Sequence, residues 1–192
     1  MLYRFLRFLI SIYYRSAFRI RVIGAENIPK KGGVILSGNH MSNHDPLILA
    51  ISQKRSLSFM AKDSVLKIPI LGPILKAVGV FPVKRGSGDI GAVKKAIEVL
   101  KDGKMLSLFP EGTRNKTGER LAPFQSGAAL IAYKSEAVIV PVGIISSYKL
   151  FSTITIIYNK PIDLKKYGEK PDIKLVTSDL KEVILNTLEE GK

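Results

Sequence analysis

His40 and Asp45 stand five positions apart in the stretch Ser37-Gly38-Asn39-His40-Met41-Ser42-Asn43-His44-Asp45-Pro46. An imidazole changes charge near neutral pH, and a carboxylate behind it fixes the tautomer and stabilises the imidazolium. If the chain bends into a helix start between the two, one ring nitrogen is left to take a proton from a substrate. That is the base-and-orienter half of a catalytic triad without a protein nucleophile, so the nucleophile would be a substrate hydroxyl. The same residues also read as a plain helix cap and turn. His44 adds a second imidazole at i+4, but a metal site needs further ligands and no matching set appears. No metal is expected.

Three later stretches carry groups that such a base would need. In Gly79-Val80-Phe81-Pro82-Val83-Lys84-Arg85, the guanidinium of Arg85 offers a rigid fork of donors suited to phosphate, and Lys84 adds a mobile point charge. Adjacent basic residues are also a common solvated surface. In Phe109-Pro110-Glu111-Gly112-Thr113-Arg114, a carboxylate and a guanidinium share one turn. Glu111 would orient Arg114 or bind a substrate hydroxyl, and Arg114 would bind phosphate; a structural Glu–Arg pair is the bland alternative. Val138-Ile139-Val140-Pro141-Val142-Gly143-Ile144 has no reactive side chain and would shape an apolar wall.

Positioning these groups falls to an alternation of strands and helices. Residues 34–37 and 105–109 read as buried strands, 138–145 as an apolar strand, 57–61 as a strand candidate and 80–83 as a strand end, while the alternating 19–23 and 152–158 read as two further strands. Helices are expected at 46–52, opening with Pro46, at 90–101 with Asp89 as cap, at 126–134 and at 174–190. Residues 64–78, interrupted by Pro69 and Pro73, read as short helices with a break. The pattern predicts an α/β fold: a central mixed, partly parallel sheet flanked by helices, preceded by an N-terminal amphipathic helix. The candidate residues then fall just beyond strand ends, where open α/β sheets bind ligands.

Charge and the first residues bear on the partner. The chain has 192 residues, enough for one domain with a sizeable core, and no cysteine, which excludes disulfides and thiolate chemistry. Residues 1–85 hold 14 Lys/Arg against three acids, or +11 of the net +14. A basic surface so uneven implies an anionic partner. Arg4, Arg7, Ser11, Arg15 and Arg19 fall within roughly a third of a helical wheel, with aromatic and aliphatic residues filling the rest. The apolar run between Arg7 and Arg15 is too short to span a bilayer, which takes ~20 residues. A helix lying in the headgroups of an anionic membrane surface fits this pattern; packing on the domain or on a second subunit is the alternative. A signal peptide is not expected, because arginines interrupt the apolar part. A basic module for nucleic acid would interleave aromatics on a strand face. Here they cluster in the helix, and no nucleic acid is expected. The reading divides the chain into a membrane-binding helix at 1–23 and an α/β domain at 24–192.

Taken together, the four stretches resemble the glycerophospholipid acyltransferases, and within them the 1-acylglycerol-3-phosphate (lysophosphatidic acid) acyltransferases. Asn39 to Asp45 resembles the family's His-x4-Asp motif, residues 81–85 its second, 109–114 its Phe-Pro-Glu-Gly-Thr-Arg motif and Val140-Pro141-Val142 its fourth. The resemblance implies that His40 deprotonates the free hydroxyl of a lysophospholipid acceptor, with Asp45 orienting it. The hydroxyl would attack an acyl thioester, acyl-CoA or acyl carrier protein, with no further cofactor and no covalent acyl-enzyme. It implies that Lys84, Arg85, Glu111, Gly112, Thr113 and Arg114 hold the glycerol phosphate, and that Val140, Pro141 and Val142 line the acyl-chain side. The product would be phosphatidic acid, made by a peripheral enzyme on the cytoplasmic face of the cell membrane. One departure stands out: Phe124-Gln125-Ser126-Gly127 has Gln125 where members often carry a lysine. His44 becomes a spacer within the motif.

Overall fold

A computed structural model describes residues 1–84 and 88–191. Arg85 therefore lies outside the described residues, as do Gly86, Ser87 and Lys192. The elements run α1 (Leu2–Ala17), β1 (Arg19–Ile23), β2 (Val34–Gly38), α2 (Asp45–Ser52), β3 (Leu57–Lys62), α3 (Leu71–Ala77), β4 (Val80–Val83), α4 (Ile90–Lys101), β5 (Met105–Leu108), α5 (Gly127–Ser135), β6 (Val138–Ile145), β7 (Thr153–Tyr158) and α6 (Ile173–Glu190). Short 3-10 turns occupy Ala25–Asn27, Asp63–Lys67 and Leu164–Tyr167.

The strands form one mixed sheet in the order β1-β7-β6-β2-β5-β3-β4. Every pairing is parallel except β6 with β7. Helices α1 and α2 cover one face, packing Tyr14, Phe18, Ile48 and Leu49 over Leu36, Met105 and Val140. Helices α4, α5 and α6 cover the other, over Ile35, Leu106 and Ile139. Strand β2 is buried at all five positions. That burial on both faces is why Val34-Ile35-Leu36 is a continuous apolar run instead of an alternation, with Ser37 and Gly38 closing the strand. The partly exposed β7 does alternate.

Two features place a site. The connection after β2 crosses β5 to reach β3, whereas the connection after β5 crosses β2 to reach β6. These adjacent strands thus feed opposite directions, and the crevice beyond their C-terminal ends is a topological switch point. Helix α4 starts where expected, with the Asp89 side chain accepting the Ala92 N–H at 3.0 Å.

The 1–23 segment divides differently from the sequence reading. The helix stops at Ala17, and Arg19–Ile23 is the edge strand of the central sheet, in register with Thr153–Ile157 of β7. Arg19 thus leaves the helical stripe. The helix itself is anchored to the domain: Tyr14, Ala17 and Phe18 are buried, and the Tyr3 hydroxyl accepts the Leu57 N–H at 3.0 Å.

Candidate active site

His40 Nδ1 lies 2.9 Å from Asp45 Oδ2. The same oxygen accepts the backbone N–H groups of Met41 and Ser42, each at 2.7 Å. Asp45 is the first residue of α2 and Pro46 follows it, so the carboxylate turns back over the loop that precedes the helix. Of the two readings offered by the sequence, turn and orienter are met by this one side chain, whereas α2 carries no side-chain cap: its N-cap position is His44. With Nδ1 donating to a carboxylate, the neutral ring leaves Nε2 as its proton acceptor. The His40 ring stacks on Phe109 at 4.1 Å between centroids, and the residue is 7% exposed.

The loop after β5 holds the backbone of His40 from both sides. Glu111 Oε1 accepts the His40 N–H at 2.6 Å, and the Asn115 N–H donates to the His40 carbonyl at 2.7 Å. Glu111 Oε2 takes the Ala122 N–H at 2.8 Å. This is not the Glu111–Arg114 pairing that the sequence suggested: both carboxylate oxygens are engaged by peptide groups. Burial holds the Glu111 carboxyl above its ordinary range, outweighing those two donors and the charge of His40. Gly112 makes the tight turn at φ 71, and a Cβ there would meet Gln125 Nε2 at 2.6 Å. The positive φ is what favours glycine here, since the Gln125 amide is the far end of a flexible side chain that can shift aside. The Gln125 N–H in turn donates to the Pro110 carbonyl at 2.7 Å.

Arg114, one residue before Asn115, is half-buried and forms no ion pair among the described residues. Thr113 is exposed. Lys84 is exposed at the end of β4, its N–H donating to Asp89 Oδ2 at 2.9 Å. Val140, Pro141 and Val142 are buried in β6, with Ser37 opposite Pro141 and Gly38 opposite Val142. Val140 and Val142 belong to the same cluster as Tyr14 and Ile48, so they back the loop and present no open wall.

Three residues given no chemical role by the sequence complete the arrangement, Asn39 and His44 within the first motif and Tyr148 outside all four. Asn39, fully buried, pairs with the Ile144 backbone in both directions, accepting its N–H at 2.7 Å and donating to its carbonyl at 2.9 Å. This amide ties the ends of β2 and β6 together beyond their ladder. The Tyr148 hydroxyl donates to Asp45 Oδ1. His44 is more than a spacer: its Nδ1 shares a hydrogen bond of 2.5 Å with the Tyr14 hydroxyl, and its ring stacks on Tyr148 at 5.0 Å. Burial, then the neighbouring Tyr13 and Asp45, push the Tyr14 hydroxyl up to about 12, so it stays neutral. A groove of about 470 Å³ runs between Leu9, Ile10, Tyr13 and Tyr14 of α1 and His44 and Leu47 beside them.

Helix α1 turns Phe5, Phe8, Leu9, Ile12 and Tyr13 outward, each at least 45% exposed. Among the described residues no helix is long and apolar enough to cross a membrane.

Comparison with known proteins matches residues 19–145 to a family model described as Acyltransferase. The chain is 35% identical over 189 residues to a 1-acyl-sn-glycerol-3-phosphate acyltransferase of Borreliella burgdorferi, covering 92% of this chain and 74% of that one. It is 33% identical over 177 residues to the chloroplastic LPAT1 1-acyl-sn-glycerol-3-phosphate acyltransferase of Arabidopsis thaliana, covering 85% of this chain and 48% of that one. The crystal structure of the 1-acyl-sn-glycerophosphate (LPA) acyltransferase PlsC from Thermotoga maritima superposes with a TM-score of 0.78 at 25% identity. That match covers 98% of this chain and 78% of that one.

Proposed function

This chain belongs to the acyltransferase family, and from that premise we propose that it acylates the free hydroxyl of 1-acylglycerol 3-phosphate to give phosphatidic acid. The names of its relatives support this acceptor. The observation that carries the mechanism is the clamping of His40 between Asp45 and the loop that bears Arg114. It joins a base and a phosphate-sized cation at one sheet edge.

In this reading His40 Nε2 takes the proton of the acceptor hydroxyl as its oxygen attacks the thioester carbonyl. The C–S bond breaks, and the imidazolium returns the proton to the leaving thiolate. Asp45 holds the ring and stabilises its charged form throughout. No acyl-enzyme forms, because the acceptor is itself the nucleophile. Arg114 binds the phosphate, with Lys84 contributing charge from the end of β4 and Arg85, next in the sequence, adding a second cation. Gly112 and Thr113 shape that turn. Glu111 acts through the His40 backbone, which its two peptide contacts support better than direct substrate binding.

Hydrocarbon is accommodated along the groove between α1 and the 43–47 segment, on the sheet face where Val140 and Val142 pack; Pro141, between them on β6, points to the other face. The outward face of α1 lies on an anionic membrane surface, a peripheral attachment on the cytoplasmic side. The acyl donor is a thioester of CoA or of acyl carrier protein, and no metal or other cofactor takes part.

The test is to offer purified protein, with anionic vesicles, several lysophospholipids and glycerol 3-phosphate together with palmitoyl thioesters of both carriers. Products are identified by mass. Phosphatidic acid from 1-acylglycerol 3-phosphate is expected; acylation of another acceptor alone would contradict the proposal.

A further inference from the structure

Asp45 is held from two directions. Oδ2 takes three donors, all from its own loop: His40 Nδ1 and the N–H groups of Met41 and Ser42. Oδ1 takes its donor from elsewhere, the hydroxyl of Tyr148 in the connection between β6 and β7. The two residues are 103 positions apart. Asp45 is 0% exposed, so solvent does not reach Oδ1 to replace that donor. A buried acceptor that loses its partner carries the full desolvation penalty, which is greater for a charged group.

Tyr148 is itself built into place. Its backbone sits at φ 53, in the left-handed region that bulky residues rarely adopt. The conformation is held by packing: the ring stacks on His44 at 5.0 Å and meets Phe18 edge-on at 6.4 Å. Its N–H donates to Ser146 Oγ at 2.9 Å. Backbone strain of this kind persists where surrounding contacts over-determine it, commonly at functional sites.

We infer that Tyr148 is a positioning residue for acyl transfer, its hydroxyl fixing the Asp45 carboxylate so that Oδ2 faces His40. The inference rests on the reading of His40 and Asp45 as general base and orienter. Burial, then the charge of Asp45, hold the Tyr148 hydroxyl above its ordinary value of 10, so it remains a donor across the working range. Other titratable groups around the network are Glu111 on the His40 backbone, His44 against the Tyr148 ring, and Tyr14 of α1 against His44.

Tyr148→Phe keeps the ring and removes the hydroxyl. Its kcat is expected to fall roughly ten- to a hundredfold, the range of a hydrogen bond to a charged group, with KM for both substrates within about twofold of the wild type. The acid limb of the kcat/KM–pH profile moves up by roughly half a unit to one unit. The sign follows because a carboxylate that has lost a donor competes more strongly for protons and pulls harder on the imidazole proton. A ring-fluorinated tyrosine at 148, a stronger donor with the same packing, moves that limb to lower pH. This second variant keeps the test decisive if Tyr148→Phe folds poorly. Adding Tyr148→Phe to Asp45→Asn causes no further loss.

Tyr148→Phe with an unchanged kcat and acid limb, or losses that multiply in the double variant, would overturn the inference. If Asp45→Asn alone keeps the wild-type rate, the base reading and this inference fall together. If Asp45→Asn is inactive while Tyr148→Phe matches the wild type, only this inference falls.

Discussion

Glu111 accepts the backbone N–H of His40 at 2.6 Å, so an acid on the β5 loop fixes the peptide plane of a histidine on the β2 loop. The carboxylate is nearly sealed from solvent and spends its other oxygen on the Ala122 N–H. Its role follows from geometry alone: both donors are peptide groups that no rotation could release, and only an acceptor at both oxygens satisfies them.

Glu111→Gln therefore replaces one acceptor with an amide donor facing either His40 or Ala122. The unsatisfied contact should cost about 1–3 kcal/mol, and at this size each kcal/mol lowers Tm by ~2–4 °C. Activity should fall with it. The folded carboxyl is held above its ordinary value of 4.5. The folded state thus retains a proton that the unfolded state has lost, and this group's contribution to stability declines as pH rises from 4.5 through the folded value. Thermal melts across that window should show the decline in the wild type and a flatter profile in Glu111→Gln. Equal slopes would contradict the account.

Arg114→Ala should raise KM for the phosphorylated acceptor by roughly ten- to a hundredfold, the range of a charge-assisted hydrogen bond. The KM for the thioester should stay within about twofold. Steady-state kinetics with each substrate varied in turn measures this split. A change confined to donor saturation would assign Arg114 to the other substrate.

The outward face of α1 gives a cleaner membrane test than truncation, since residues up to 18 include buried Tyr14, Ala17 and Phe18. Phe8 and Ile12 are 63% and 53% exposed, so Phe8→Ser with Ile12→Ser spares the core. Partition onto anionic vesicles should weaken roughly ten- to a hundredfold, and further as salt screens the arginines. Sedimentation with vesicles measures it. Binding insensitive to both changes would remove the membrane role of α1.

The elements were legible because local pattern reports burial. The unbroken apolar run Val34-Ile35-Leu36 gave β2, alternation gave β7, and Asp89 ahead of an apolar helical spacing gave α4. The pairing of His40 with Asp45 was also local, a return across five residues. What the sequence did not disclose is non-local. Glu111 was matched with its near neighbour Arg114, but β2 and β5 are adjacent in the sheet, so its partner is the His40 peptide 71 residues away. Asn39 reads as a turn residue until β6 comes alongside β2 and presents Ile144, at a separation of 105. Tyr148 carries no motif, and only its left-handed backbone and the packing of its ring bring it to Asp45. The strand at Arg19–Ile23 was legible from its loose alternation, whereas counting Arg19 in the arginine stripe carried the helical segment past its end at Ala17.

The most direct measurement of the central claim is the rate of acyl transfer by His40→Ala, made with protein whose circular dichroism and Tm match the wild type. Loss of a positioned general base should lower kcat by roughly 10²–10⁴-fold, with vesicle binding and substrate KM little changed. A folded His40→Ala variant that transfers acyl groups at the wild-type rate would contradict the mechanism.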